Sequence, residues 1–220
     1  MESLRLDRRS AVEQVADGLR DRMFDGTLPP GTRLRELDLA DSLQVARSTV
    51  REALLVLRKD RLVVRRDNGR GWEVRRLRPD EITDIFRARR WIEFAAVSAA
   101  EESTGDPLGP VEKRVAALAD AMRTEDKPSI LAADLQCHLE LVRMTGSERL
   151  VGMYAELLRD LRPLLAVVEQ PSDWPRELKN HRKFVRLMRR GEWDAARASM
   201  VERLTYVEET MIANIESSTA

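Results

Sequence analysis

The chain has 220 residues, with 38 basic and 38 acidic side chains and a formal net charge of zero. This length is enough for one small and one medium domain, each with its own core. The single cysteine, Cys137, excludes an intramolecular disulfide framework and favours a reducing compartment. Because we find neither a signal-peptide pattern nor an apolar run long enough to span a bilayer, we expect a cytoplasmic protein with no membrane partner.

The zero net charge conceals a difference between the two parts of the chain. Residues 1–76 carry 17 basic and 13 acidic side chains, whereas residues 77–220 carry 21 basic and 25 acidic ones. A basic surface is typical of a nucleic-acid-binding domain. An excess this small also arises by chance in a chain so rich in charge.

The N-terminal part begins with the pattern of a helix-turn-helix. Apolar residues recur at helical spacing within 12–23, and the turn sequence Pro29-Pro30-Gly31 follows. A second, short helix is predicted over 37–43, and the chain must turn at Gln44-Val45 before a third helix begins. In a helix-turn-helix, the second helix of the pair is the one that enters the major groove of DNA.

This last helix has an apolar face and a cationic face. Arg47 and Arg51 are four residues apart, so both side chains leave the helix on one side. Hydroxyl and guanidinium groups contact phosphates, and arginine also pairs with guanine in the major groove. A solvated basic face without a ligand is the alternative interpretation. The predicted DNA-binding residues are Arg35, Arg47, Ser48, Thr49, Arg51, Arg70 and Gly71.

Two short strands are predicted after the helices, at 62–64 and 72–74, with Asp67-Asn68-Gly69-Arg70-Gly71 as the hairpin turn between them. Glycine removes side-chain bulk, so the tip of this wing can approach the minor groove or the DNA backbone. Three helices and a hairpin predict a winged helix-turn-helix domain over 1–76.

The run LPPGTRLRELDLADSLQVARSTVREALLVLRKDRLV resembles the DNA-binding domain of GntR-type bacterial transcription regulators. The resemblance implies that the winged helix binds a double-stranded DNA operator. Three positions depart from the usual family pattern, since Ala46 replaces a small hydroxyl residue, Thr49 replaces a proline and Arg61 replaces a glycine. The first departure weakens one expected phosphate contact.

The C-terminal part reads as helical throughout. Arg75 to Pro79 form a short basic linker, and Asp80-Glu81 suit the start of a helix electrostatically. Six helices are predicted, at 80–103, 108–124, 127–144, 147–169, 175–190 and 192–216. Short connections between them predict an antiparallel all-helical bundle over 77–220, with a kink at Pro163.

Four polar residues lie on inward-facing stripes of this bundle. Asp134 and His138 are four residues apart and converge on one point. His181 and Arg203 lie on apolar stripes of the last two helices. Because a buried polar group without a partner is costly, these residues either satisfy one another or line a pocket.

The stretches DLQCHLELVRMTGSERL and HRKFVRLMRRGEWDAARASMVERL resemble the FCD effector-binding domain of the FadR subfamily of GntR regulators. RARRWIEFAA, which contains Arg89 and Glu93, resembles the first helix of that domain. The resemblance implies a small carboxylate-type effector, for which Arg89 is a candidate anchor. A surface arginine in a charged run is the alternative interpretation of Arg89.

Many FCD domains bind a divalent metal such as Zn²⁺ through one aspartate and three histidines. Asp134, His138 and His181 match the first three ligands, whereas Arg203 stands at the fourth position. Arginine stays cationic and cannot be a metal ligand, which puts the metal in doubt. Three interpretations remain open: a three-ligand zinc site, Arg203 acting as the positive charge that binds an anionic effector, or ordinary core histidines.

The leading functional hypothesis is a ligand-responsive transcriptional regulator that binds a palindromic operator as a homodimer. The alternative is a metal-dependent enzyme or a metal sensor with an accessory DNA-binding domain. Against an enzyme, we find no nucleophile elbow, phosphate loop or dinucleotide fingerprint, and no catalytic residue is predicted. The expected effector-binding residues are Arg89, Asp134, His138, His181 and Arg203.

Overall fold

The computed structural model describes residues 10–66, 71–168 and 174–217. The chain divides into two compact units after Arg76, and each unit encloses its own hydrophobic core. The described residues form nine α-helices and three short strands, so the mainly helical fold predicted from the sequence is confirmed.

Three helices surround the core of the first unit: α1 (Ala11–Phe24), α2 (Glu36–Leu43) and α3 (Arg47–Lys59). Ser10 caps the first of these, because its hydroxyl accepts a hydrogen bond from the backbone amide of Glu13, whose carboxylate accepts one from the Ser10 amide in return. The apolar faces of all three helices meet, as the helical spacing in the sequence predicts.

The sheet of the first unit has one strand more than the predicted hairpin. β1 (Arg33–Leu34) and β2 (Val63–Arg65) both pair antiparallel with β3 (Trp72–Val74), which lies between them. Two residues are too few for alternation to show, so β1 has no signal in the sequence. The predicted turn residues 67–70, Arg70 among them, lie outside the described residues.

Two turns of this unit place non-glycine residues in the left-handed region. Gln44 ends α2 with a φ of 53°, and Arg61 follows α3 with a φ of 61°. A side chain in this region costs roughly 1–2 kcal/mol. Arg61 is the position at which GntR-type domains commonly have a glycine, and in this chain an arginine adopts the left-handed conformation.

The second unit is built from helices alone. They are α4 (Pro79–Glu102), α5 (Gly109–Met122), α6 (Lys127–Arg143), α7 (Glu148–Val168), α8 (Trp174–Arg189) and α9 (Trp193–Ser217). All six predicted helices are confirmed to within two residues at each end. Pro163 lies inside α7, which continues through it. In the described ranges, no helix combines the length and the apolar composition needed to cross a membrane.

Candidate functional site

The exposed side of α3 carries the two arginines predicted from the sequence. The Arg47 and Arg51 side chains are 61% and 54% exposed, whereas Val50, Leu54 and Leu57 on the opposite side are fully buried. The cationic face and the packing face are therefore both present on this helix.

The other residues predicted to contact DNA differ in exposure. Ser48 is exposed beside Arg47, and Thr49 is half-buried. The Arg35 side chain is 72% exposed at the start of α2 and lies 3.9 Å from the Asp38 carboxylate. Gly71 precedes β3 with a φ of 86°, a conformation that favours glycine.

A buried carboxylate connects both arginines to the sheet, and it was not among the residues predicted from the sequence. Glu36 accepts hydrogen bonds from Arg47 Nε at 3.1 Å, from Arg51 Nη2 at 3.3 Å and from Trp72 Nε1 at 3.3 Å. Burial would raise the pKa of Glu36, but these hydrogen bonds outweigh it and lower the pKa below its usual value. The carboxylate is therefore ionised at neutral pH.

In the second unit, the four polar residues predicted to converge do lie together. His181 Nε2 on α8 lies 2.7 Å from Asp134 Oδ1 on α6. On α9, Arg203 places Nη1 3.2 Å from His181 Nε2 and places Nη2 in contact with His138 Nε2. The guanidinium of Arg203 therefore lies between the two histidine rings.

The protonation of His138 follows from its surroundings. Burial and the positive charge of Arg203 lower the pKa of His138 to about 4, even though Glu93 acts in the opposite direction. His138 Nδ1 lies 3.4 Å from Glu93 Oε2. A neutral ring that donates from Nδ1 to Glu93 has a free lone pair on Nε2, which accepts the hydrogen bond from Arg203.

The two carboxylates of this cluster are held in their ionised form. Burial would raise the pKa of Asp134, but the hydrogen bond and charge of His181 outweigh it and keep the pKa well below its usual range. Burial would likewise raise the pKa of Glu93, but the interactions with His138 and Arg89 outweigh it and keep that pKa well below its usual range.

Arg89 lies in the interior of the helical unit. It is 3% exposed, so the interpretation as a surface arginine is wrong. Its guanidinium donates to Glu93 Oε1 at 3.1 Å and to the Tyr154 hydroxyl at 3.3 Å, and Tyr154 also donates to Glu93. Glu93 and Tyr154 therefore fix this guanidinium through Nε and Nη2.

A small cavity adjoins the cluster. Its volume is about 20 Å³, close to the space that one water molecule needs. An organic ligand therefore requires side chains or helices around it to move. Its polar lining comes from Glu93, His138, Asn180, His181, Ser199 and Arg203.

The cluster does not fit a four-ligand metal site. The ligand atoms of Asp134, His138 and His181 lie within 4.8 Å of one another, which suits a metal. However, Arg203 bonds to His138 Nε2, the lone pair that a metal would need, and places a fixed positive charge beside it. The residues present therefore disfavour a divalent ion here.

Comparison with known families agrees with this two-part architecture. Residues 84–206 match the FCD domain, and residues 11–74 match the family described as bacterial regulatory proteins, gntR family. The chain belongs to the GntR family. This GntR protein is thus a DNA-binding transcriptional regulator with an FCD domain, and the families and relatives that it matches are transcriptional regulators, not enzymes.

Relatives with similar sequences span nearly the whole chain. The HTH-type transcriptional regulator YdhC of Bacillus subtilis is 26% identical over 212 residues, covering 94% of this chain and 93% of YdhC. The gluconate operon transcriptional repressor of Bacillus licheniformis is 24% identical over 212 residues, covering 92% of this chain and 86% of the repressor.

A solved structure with a similar fold comes from Rhodococcus sp. RHA1. It is a transcriptional regulator GntR that is 28% identical to this chain, with a TM-score of 0.77. The alignment covers 93% of this chain and 99% of the Rhodococcus chain. The similarity therefore includes both units.

Proposed function

We propose that this GntR regulator binds a two-fold symmetric operator as a homodimer, and that a small anionic effector bound beside Arg203 changes its operator affinity. The DNA-binding half of the proposal is carried by one observation: Arg47 and Arg51 share the exposed face of a helix whose other face is buried. This is the arrangement that reading of base edges in the major groove requires.

The remaining DNA contacts divide by role. Arg47 and Arg51 are the base-reading candidates, and the hydroxyls of Ser48 and Thr49 suit phosphate oxygens beside them. The exposed Arg35 guanidinium at the start of α2 suits a phosphate as well. Arg70 and Gly71 would bring the wing to the minor groove. We assign these contacts to a domain over 1–76.

The helical unit over 77–220 would provide effector binding and most of the dimer interface. Two large apolar side chains of this unit support a dimer interface, because they are exposed to solvent in the single chain. Large exposed apolar groups mark interaction surfaces. Trp91 on α4 is 73% exposed, and Met153 on α7 is 59% exposed.

A polypeptide of residues 77–220 should therefore run as a dimer in light scattering. It encloses a separate core, so its folding does not require the first unit. Exchange of Trp91 for aspartate should shift full-length protein towards monomer if this surface is buried between subunits. A monomeric 77–220 fragment beside a dimeric full-length protein would place the interface on the first unit instead.

Arg203 is the proposed anchor for the effector carboxylate. Its guanidinium contacts two histidine rings, and among the described residues Glu177, at 3.8 Å, is the carboxylate that pairs with it directly. Asp134 and Glu93 lie farther away and act on it through their charge. Asn180 and Ser199 add an amide and a hydroxyl to the lining, which suit the hydroxyl groups of a sugar acid. Two relatives are named as gluconate operon repressors, so gluconate is the first compound to test.

A thermal-shift screen against organic acids, beginning with gluconate, should find a compound that raises the Tm of the wild-type protein. The Arg203→Met variant should lose this shift. The matched control is Arg182→Met, which removes an exposed guanidinium from α8 and should keep the shift. A shift of equal size in the Arg203→Met variant would contradict the assignment.

A further inference from the structure

The geometry points to Glu36 as a positioning residue that determines which nitrogen atoms of Arg47 and Arg51 face DNA. This inference rests on the proposed role of α3 in reading the operator. Glu36 lies in α2, both arginines lie in α3, and its third partner, Trp72, lies in β3. One carboxylate therefore joins the recognition helix to the helix before it and to the sheet.

The two arginines are held in different ways. Arg47 donates only from Nε, at 3.1 Å, so both of its terminal nitrogens are free of contacts with the described residues. Arg51 donates to the same Glu36 oxygen from Nε at 3.4 Å and from Nη2 at 3.3 Å. Each guanidinium therefore keeps an N–H group on both terminal nitrogens for DNA, because a terminal nitrogen carries two N–H groups and Glu36 takes at most one of those on Arg51. The difference is that Glu36 fixes Arg51 through two nitrogens and Arg47 through Nε alone.

Both arginines are accordingly base-reading candidates, and Glu36 fixes the direction in which each fork faces. A guanidinium already fixed through Nε loses less side-chain entropy when its fork meets a base. Glu36 thus contributes to sequence discrimination without touching DNA itself. Its negative charge should at the same time weaken binding to DNA of any sequence, because that binding depends on net positive charge.

Trp72 makes the Glu36→Gln variant informative. The Trp72 side chain is fully buried, and its indole N–H bonds to Glu36 Oε1. An amide has a single acceptor oxygen, so glutamine cannot serve Trp72 and the arginines together. The glutamine oxygen would accept the hydrogen bond from the buried indole N–H, since an unpaired buried donor is costly. The two arginines would then lose their hydrogen bonds to residue 36. The fold is preserved while the positioning is lost.

The test compares an operator with an unrelated duplex of equal length, using full-length protein and fluorescence anisotropy. The operator is the duplex selected from a random library by the wild-type protein. Glu36→Gln should lower the ratio of operator affinity to unrelated-duplex affinity by about tenfold, which corresponds to about 1.4 kcal/mol. Affinity for the unrelated duplex should stay equal or rise. Circular dichroism and Tm should match the wild type.

Asp41→Asn is the matched control, since it removes one negative charge from the exposed side of the same helix. It should leave the affinity ratio unchanged. In a background that carries both Arg47→Ala and Arg51→Ala, Glu36→Gln should have little further effect on the ratio, because Glu36 acts through these two arginines.

Three results would overturn the inference: an unchanged ratio in Glu36→Gln, an equal fall in Asp41→Asn, or a further fall when Glu36→Gln is added to the variant that lacks both arginines. If Arg47→Ala weakens operator binding while Glu36→Gln keeps the ratio, the inference fails and the proposed function stands. If neither Arg47→Ala nor Arg51→Ala has an effect on operator binding, the reading role of α3 fails and this inference fails with it.

Discussion

Alanine at Arg47 should weaken operator binding by about 1–3 kcal/mol, the range expected for loss of a base contact. Alanine at Arg51 should weaken it as well, and by less if that side chain contacts only a phosphate. Both side chains are more than half exposed and lie opposite the packed face of α3. Helix content and melting temperature should therefore barely change.

The measurement is anisotropy on the selected operator at a fixed salt concentration, because affinity for DNA varies steeply with salt. Arg58→Ala is the matched control: it removes the same charge from an exposed position at the other end of α3. This control variant should bind every duplex slightly less tightly, and it should prefer the operator over unrelated DNA as strongly as the wild type does. Unaltered operator affinity in both the Arg47 and Arg51 variants would refute the assignment of α3 as the recognition helix.

A second large effect is expected at Arg203. Its guanidinium contacts both histidines of the cluster and stands at the fourth position of the metal set that the family pattern implies. Arg203→His removes that positive charge and adds a fourth ligand to Asp134, His138 and His181. Zinc affinity should rise by at least about tenfold, since four protein ligands suit tetrahedral Zn²⁺.

Mass spectrometry of metal content, after identical preparation of both proteins, measures this effect. Wild-type protein should hold zinc weakly or not at all. Arg203→Gln separates the loss of the positive charge from the gain of a ligand, because it removes the charge without adding a good ligand. Its zinc affinity should lie between those of the wild type and the Arg203→His variant. Stoichiometric, tightly held zinc in the wild type would show that three protein ligands suffice.

Helical spacing predicted the parts of both sites that lie on one helix. Arg47 and Arg51 share a face because they are four residues apart, and so do Asp134 and His138. His181 and Arg203 were joined to the second pair by their inward-facing stripes and by the resemblance to FCD domains, since no local spacing relates three separate helices.

The contacts that the sequence did not predict depend on tertiary packing. Glu36 reads as an ordinary acidic residue in the first turn of a helix, where the helix dipole favours it. Its bond to Trp72 joins residues 36 positions apart, and no periodicity predicts such a pairing. The pairing of Arg89 with Glu93 and Tyr154 was not predicted for the same reason, because Tyr154 lies on another helix.

The central claim is that α3 reads a two-fold symmetric operator, and selection from a random duplex library tests it most directly. Wild-type protein should enrich an inverted repeat whose half-sites are spaced by whole turns of DNA, as dimeric binding requires. Protein carrying both Arg47→Ala and Arg51→Ala should fail to enrich it. Enrichment of the same repeat by that double variant, or no inverted repeat with the wild type, would contradict the claim.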